Sequence, residues 1–407
     1  MNQKEALKIL KSGTNCFVTG SPGTGKTFLL NKFIDYLKGS KIKAGITAST
    51  GIAATHINGR TIHSWSGIGL KKEMDKSAIK KLLKRKFLRK RINEAEVLII
   101  DEVSMLDAAR LDLISKICKR VRKSKASFGG LQVILAGDFF QLPPVGKKED
   151  VKFAFESSTW KELNLKVCYL TKQHRHKDKK FISILNKIRK NQAGKKELQL
   201  LRKRLSQSIK GLDKPTKLYT HNFNVDLINR YELDRINEKE RIYKMSSIGS
   251  KRIVSFLKRS CLAPEKLRLK KEAIVMFVKN NFDKGYVNGT LGKVVDYEDK
   301  YPIVETRSGL EIKVKPAKWH LKEEDEILGS IKQFPLRLAW AITVHKSQGM
   351  SLDVAEIDLS KSFEYGMGYV ALSRVKTLDG IKLMGINKMS LKVNPDIVEK
   401  DKDFKNS

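Results

Sequence analysis

Along the first 150 residues, short apolar runs alternate with stretches whose apolar positions recur every three or four residues. That alternation predicts a parallel sheet with crossover helices. Four runs read as strands: Cys16 to Thr19, Lys43 to Ala48, Val97 to Asp101 and Leu131 to Gly137. Polar, chemically capable residues follow each of them, and the C-terminal edge of an open α/β sheet is where ligands bind. A second α/β set is expected from Val167 to Leu170, Lys217 to Thr220, Val354 to Leu359 and Ile381 to Met384. It is split by residues 270 to 315, whose short alternating strands, punctuated by Gly285, Gly289, Gly292 and Gly309, suit a small β-barrel.

These patterns divide the chain into a first α/β lobe (1–155), a second lobe built from 156–232 and 331–395, an inserted domain (233–330) and a polar tail (396–407). The first lobe is itself interrupted at 67–92 by a basic insertion, in which Lys71 to Arg91 carries eleven Lys or Arg against Glu73 and Asp75. Ile79, Leu82, Leu83, Phe87 and Ile92 recur there at near-helical spacing. They are expected to form a stripe that docks on the lobe while Lys80, Lys84, Arg85 and Arg89 face outward.

Length and charge narrow the function. A chain of 407 residues can bury two or three cores. The 82 basic against 44 acidic side chains leave a net charge of +38, a field that concentrates polyanions, with nucleic acid first among them. A lysine-rich solvated surface is the competing explanation, so the motifs must decide. No apolar run suits a membrane span, and the polar N-terminus lacks the apolar core of a signal peptide, so a soluble intracellular protein is expected. Cys16, Cys118, Cys168 and Cys261 lie far apart with no zinc-ligand spacing, and are read as small core residues.

The chemistry is concentrated at the predicted strand ends. After the first strand comes Gly20-Ser-Pro-Gly23-Thr24-Gly25-Lys26-Thr27, a complete G-x-x-x-x-G-K-[ST] phosphate loop running into an amphipathic helix. Its glycines let backbone N–H groups close around phosphate oxygens, Lys26 reaches the terminal phosphates, and the Thr27 hydroxyl can ligate magnesium. The third strand ends in Asp101-Glu102. Asp101 is expected to hold magnesium, and Glu102 to orient or deprotonate the attacking water. The fourth ends in Gly137-Asp-Phe-Phe-Gln141, placing an amide where it can sense a γ-phosphate, with an ordinary proline-terminated loop as the alternative. ATP and magnesium are the cofactors implied.

Longer motifs make the assignment specific. Thr47 to Ala54, Thr61 to Ser64, Asp101 to Met105, Gly137 to Val145, Leu111 to Arg122, Leu170 to Arg175, Tyr219 to Asn222, Leu338 to Gly349 and Gly368 to Arg374 together resemble the Pif-type DNA helicases of superfamily 1B. The resemblance covers about residues 3 to 390. It implies two RecA-like P-loop lobes, the small basic insertion in the first and a Src-homology-like barrel inserted in the second. It further implies arginine fingers at Arg175 and Arg374 reaching the γ-phosphate from the second lobe, and adenine reading by Gln3. Thr50, Gly51, His63, Ser64, His221, Asn222, His345, Lys346 and Ser347 are placed along a single-stranded DNA track. Trp65 joins them as an aromatic platform for a base, with a core position as the alternative.

The activity so implied is ATP-driven 5′-to-3′ translocation on single-stranded DNA with unwinding of duplex at single/double-strand junctions, by a monomer without membrane attachment. The rival is a DNA-stimulated ATPase that uses nucleotide as a switch and never separates strands.

Overall fold

The computed structural model describes residues 1–69, 71–144, 152–205, 207, 216–219, 222–281, 283–286, 288–306, 308–323, 326–344, 347 and 351–406. They form two compact units, each interrupted in sequence: Met1–Ala193 with Glu364–Tyr369 and Leu391–Ser407, and Gly194–Phe363 with Val370–Ser390. Among the described residues, no helix is long and apolar enough to cross a membrane.

The first unit is built on a six-stranded sheet, every pairing parallel. Its strands are β1 (Cys16–Gly20), β2 (Ala44–Ala48), β3 (Arg60–Thr61), β4 (Val97–Asp101), β5 (Gln132–Ala136) and β6 (Lys166–Leu170), in the order β3-β2-β4-β5-β1-β6. β1 and β4 are buried along their whole length, which is why they read as unbroken apolar runs. The sheet contains a correction. The Val167 to Leu170 run was expected in the second α/β set, but β6 pairs with β1 along its full length, Cys16 opposite Lys166 through Gly20 opposite Leu170. An apolar run specifies burial on both faces and leaves its lateral neighbour open, and here Cys168 and Leu170 complete the core formed by Val18, Leu29, Phe33 and Ile134.

Helix α1 (Gln3–Lys11) opens the chain with a capping box in which the Asn2 side chain accepts from Lys4 and Glu5 N–H while Glu5 accepts from Asn2 N–H. α2 (Lys26–Gly39) buries Leu29, Leu30, Phe33, Ile34 and Leu37 on the sheet. The short helices α3 (Gly51–His56) and α4 (Ile62–Trp65) flank β3. The basic insertion forms two helices, α5 (Lys76–Leu83) and α6 (Lys86–Glu94), which bury Ile79, Leu82, Leu88 and Ile92. The break at Lys84-Arg85 resets the helical phase, so Leu88 turns inward and the expected docking residue Phe87 is exposed. α7 (Ala108–Val121) buries Leu111, Ile114, Ile117 and Cys118 and is followed by α8 (Ser158–Glu162) and α9 (Lys179–Arg189).

The expected polar tail is instead a helix, Pro395–Asn406, that belongs to the first unit and buries Ile397, Asp401 and Phe404. The Phe404 ring lies 5.0 Å from Phe17 and 6.1 Å from both Phe139 and Phe155, inside an aromatic cluster with Trp160.

The second unit carries a four-stranded parallel sheet in the order Ala341–Thr343, Thr216–Tyr219, Ala355–Leu359, Ile381–Ile386. Inserted between its strands is a five-stranded antiparallel sheet running from Ile274–Phe277 to Leu336–Leu338, with a core of Val275, Phe277, Val294, Val304, Leu336 and Trp340. A further three-stranded sheet joins Ser246–Gly249 to the hairpin Ala317–Gln333.

Candidate nucleotide and DNA sites

Because β4, β5 and β1 are neighbours, the segments leaving them meet at one sheet edge. The phosphate loop takes positive φ at Gly20 (+143°), Gly23 (+88°) and Gly25 (+82°), conformations that favour glycine. Gly25 caps α2, and Lys26 Nζ donates to the carbonyls of Gly20 at 2.8 Å and Ser21 at 3.3 Å. Thr24 is buried, its hydroxyl donating to the Ser21 carbonyl. Burial pulls the Lys26 ammonium below its ordinary range, opposed by the nearby carboxylates of Asp138, Glu102 and Asp101.

Asp101 is buried at the end of β4, its Oδ1 accepting Glu102 N–H at 2.8 Å. Burial first, and the adjacent Glu102 charge second, push its carboxyl up to about 7. Glu102 itself stands at φ +51°, ψ +44°, in the left-handed region. A non-glycine residue held there costs about 1–3 kcal/mol, and such residues cluster at active sites. The constraint comes from next door: Ser49 Oγ donates to the Glu102 carbonyl at 2.6 Å and Ser49 N–H to that of Asp101 at 3.0 Å. Gln141 is buried after β5, with Nε2 donating to Asp138 Oδ2 at 3.3 Å.

A second group of residues covers the phosphate loop from within the same unit. Gln3 Nε2 donates to the carbonyls of Thr24 at 3.1 Å and Gly25 at 3.3 Å. The segment after β6 lies across the loop: Gln173 Nε2 donates to Ser21 Oγ at 3.1 Å, and His174 N–H to the Gly23 carbonyl at 2.9 Å. A Cβ on Gly23 would meet Arg175 Cβ at 2.6 Å. Arg175 was expected to reach the phosphates from the second lobe. It belongs to the first unit, beside the loop, because β6 joins the first sheet. Gln173 and His174 are loop-contacting residues beyond those expected from the sequence, and their signal there is membership of the Leu170 to Arg175 motif. Arg374 lies in the second unit, buried, with Nε donating to the Val370 carbonyl at 3.0 Å and Nη2 to Ser373 Oγ at 3.1 Å.

The proposed DNA residues are placed less uniformly. Thr50 and Gly51 open α3, with Thr50 Oγ1 accepting Ala53 N–H. His63 and Ser64 lie in α4, partly exposed; burial and Arg110 hold the His63 imidazolium below its usual range, so it is neutral near pH 7. Arg91 of the basic insertion donates to the Ser64 carbonyl at 3.0 Å. Arg122 ties the exit of that insertion to α7, donating to the carbonyls of Ile92, Asn93 and Ala95 at 2.8–3.1 Å and of Gly129 at 2.7 Å.

Two assignments are corrected. Trp65 is 4% exposed, its indole against β2, where a Cβ on Gly45 would meet it at 2.7 Å. It is a core residue and offers no face to a base. Ser347 is fully buried, with its hydroxyl donating to the Val344 carbonyl at 2.7 Å, which leaves no donor for a phosphate. His221, His345 and Lys346 lie outside the described residues, as does the side chain of Asn222.

Residues 1–198 match the PIF1-like helicase family model, and residues 253–297 that of the DNA helicase Pif1 2B domain. An ATP-dependent DNA helicase Pif1 from Psychrobacter is 42% identical over 100% of this chain and 71% of its own length. The chain belongs to the Pif1 helicase family. Among solved Pif1 structures, Bacteroides Pif1 in complex with ADP-AlF4 is 33% identical with a TM-score of 0.87, over 99% of this chain and 96% of that one. Bacteroides Pif1 bound to single-stranded DNA has the same identity and coverage with a TM-score of 0.69. In this Pif1-family chain the phosphate loop, the Asp101-Glu102 pair and Gln141 leave neighbouring strands at one sheet edge.

Proposed function

We propose that this chain is an ATP-dependent DNA helicase that moves 5′-to-3′ on single-stranded DNA and separates duplex at a junction. The observation that carries this is the single sheet edge holding the phosphate loop, the acid pair and Gln141, in a chain similar along its whole length to ATP-dependent DNA helicases. Glu102 is the base toward the attacking water, Gln141 senses the γ-phosphate, and Arg175 and Arg374 supply guanidinium charge to the transition state. Gln3 reads the adenine.

Magnesium fits the residues present. A carboxyl as buried as Asp101 gains from a cation that stabilises its ionised form, and a hard divalent ion accepts one carboxylate, the Thr27 hydroxyl, phosphate oxygens and water. Thr27 and Asp101 would hold it, and bound there it would supply charge neutralisation at the phosphates.

Thr50, Gly51, His63 and Ser64 are the DNA track of the first unit, gripping phosphates and sugars without reading sequence. The exposed Lys80, Lys84, Arg85 and Arg89 meet DNA near the junction. We take the working species to be a monomer, which sedimentation with DNA tests. The deciding assay is a forked duplex with a 5′ tail. A helicase releases the complementary strand with ATP and not with a non-hydrolysable analogue. DNA-stimulated ATP hydrolysis without strand release would instead make the chain a nucleotide switch.

A further inference from the structure

The end of α9 places a charged group in the interior that neither the phosphate chemistry nor the DNA track uses. Arg189 is 7% exposed, and Asp138, its ion-pair partner at 2.7 Å, is fully buried. Its second amine donates to the Tyr169 hydroxyl at 3.2 Å and lies 3.5 Å from Asp401, which also accepts from Tyr169. The guanidinium stacks over the Phe140 ring at 3.9 Å. Arg189 therefore grips the turn Asp138 to Gln141 twice, by ion pair and by stacking. The gripped carboxylate is the one that holds the Gln141 amide, through Oδ2, while Oδ1 takes Arg189.

The same turn is fastened to a distant part of the chain. Arg189 Nη1 also donates to the hydroxyl of Tyr369 at 3.1 Å, and Tyr369 is fully buried in the helix Met367–Ser373. Just ahead of that helix, Gly366 lies so close to the turn that a Cβ would meet the carbonyl oxygens of Phe140 at 2.5 Å and Gln141 at 2.6 Å. Arg374 follows the helix directly. Two independent contacts, one through side chains and one through bare backbone, thus join the Gln141 turn to the helix leading into Arg374.

We propose that Arg189 and Tyr369 are positioning residues that transmit the state of Gln141 to the helix that leads into Arg374. The proposal rests on the reading of Gln141 as γ-phosphate sensor. A Gln141 amide drawn to phosphate leaves Asp138 Oδ2, and Asp138 is shared with Arg189. A change in that carboxylate is felt at Tyr369 because a close-packed interior shifts between discrete arrangements instead of yielding gradually. Neither residue touches nucleotide or DNA in this scheme.

The test uses Tyr369→Phe, which removes one hydroxyl and keeps the ring, since Arg189→Ala would strand the buried Asp138 charge and risk the fold. ATPase kcat and KM are measured at saturating single-stranded DNA for Tyr369→Phe, Gln141→Ala and the double variant, at a temperature well below each Tm. Coupling of this kind ordinarily amounts to about 5–150-fold. Tyr369→Phe is expected to lower kcat by at least about fivefold with KM for ATP changed less than about twofold, and the double variant to be no slower than Gln141→Ala alone. Tyr369→Phe with parental kcat beside an impaired Gln141→Ala overturns the transmission and leaves the sensor standing. Additive losses in the double variant, or a Tyr369→Phe loss that follows Tm or KM, also overturn it. A Gln141→Ala enzyme with parental kcat removes the sensor and this proposal with it.

Discussion

Replacing Trp65 by alanine distinguishes a core tryptophan from a base-stacking one. Its indole is 4% exposed and fills the space that a Cβ on Gly45 would otherwise enter, with three ring atoms within 2.8 Å of that position. Truncating a buried aromatic to alanine costs about 3–5 kcal/mol. That is a fifth or more of the roughly 5–15 kcal/mol by which a domain is ordinarily stable. In a unit of about 200 residues each kcal/mol moves Tm by roughly 2–4 °C, so Trp65→Ala should melt about 6–20 °C below the parent. Urea and thermal unfolding followed by circular dichroism measure this, and fluorescence anisotropy with labelled oligonucleotide, taken well below the lowered Tm, measures DNA affinity. Single-strand affinity of the folded variant should match the parent. An unchanged Tm together with weakened DNA binding would refute the reasoning and return Trp65 to the DNA track.

Further expectations follow from the same geometry. Lys26→Ala should abolish ATP hydrolysis and leave single-strand binding near the parental value in the anisotropy assay; residual turnover above a few per cent of the parent would contradict the phosphate loop's role. Glu102→Gln should retain ATP binding in a filter assay while hydrolysis stops, because an amide keeps the shape and accepts no proton; rapid turnover would remove Glu102 as the base. Arg122→Ala leaves four carbonyls without their donor and should lower stability by about 1.5–3 kcal/mol in urea titration, the range for hydrogen bonds with a charged group; a parental midpoint would count against it. His56 and His63 are both held below 6.5 by burial, so as pH falls the unfolded chain takes up protons before the native one does and stability declines. His63→Asn should therefore flatten the fall in Tm as pH drops below 6.5, where each such histidine contributes at most about 1.4 kcal/mol per pH unit; identical slopes would refute the burial argument.

The sequence was most informative where a local pattern carries its own mechanism. The apolar run at Cys16, the glycine spacing to Lys26 and the acids closing Val97 to Asp101 each specify a conformation and a chemistry within a dozen residues. What it left open were lateral relations. Nothing in Val167 to Leu170 says that its neighbour is β1, and that one pairing moved Arg175 into the first unit. Trp65 depends on Gly45, twenty residues earlier, for the space it fills. The helix Pro395–Asn406 was hidden by its polar composition, although Ile397, Asp401 and Phe404 stand at helical spacing. Arg189 had no signal at all, because a buried cation is recognised by partners drawn from Asp138, Tyr169, Tyr369 and Asp401, far apart in the chain.

Phe404 inside the cluster of Phe17, Phe139, Phe155 and Trp160 also sets an order of events at the ribosome. The sheet of the first unit is fully synthesised once Leu170 has emerged, yet the residue that closes its aromatic core comes more than two hundred positions later. At about 5–20 residues per second, the nascent chain waits roughly 10–50 s with that cluster uncovered while the whole second unit is made. During this interval the half-finished protein presents an apolar surface with no partner of its own, the kind of surface that chaperones bind and that aggregates in their absence. Cells short of chaperone capacity should lose this protein during translation, before any of the finished chain is exposed to denaturation.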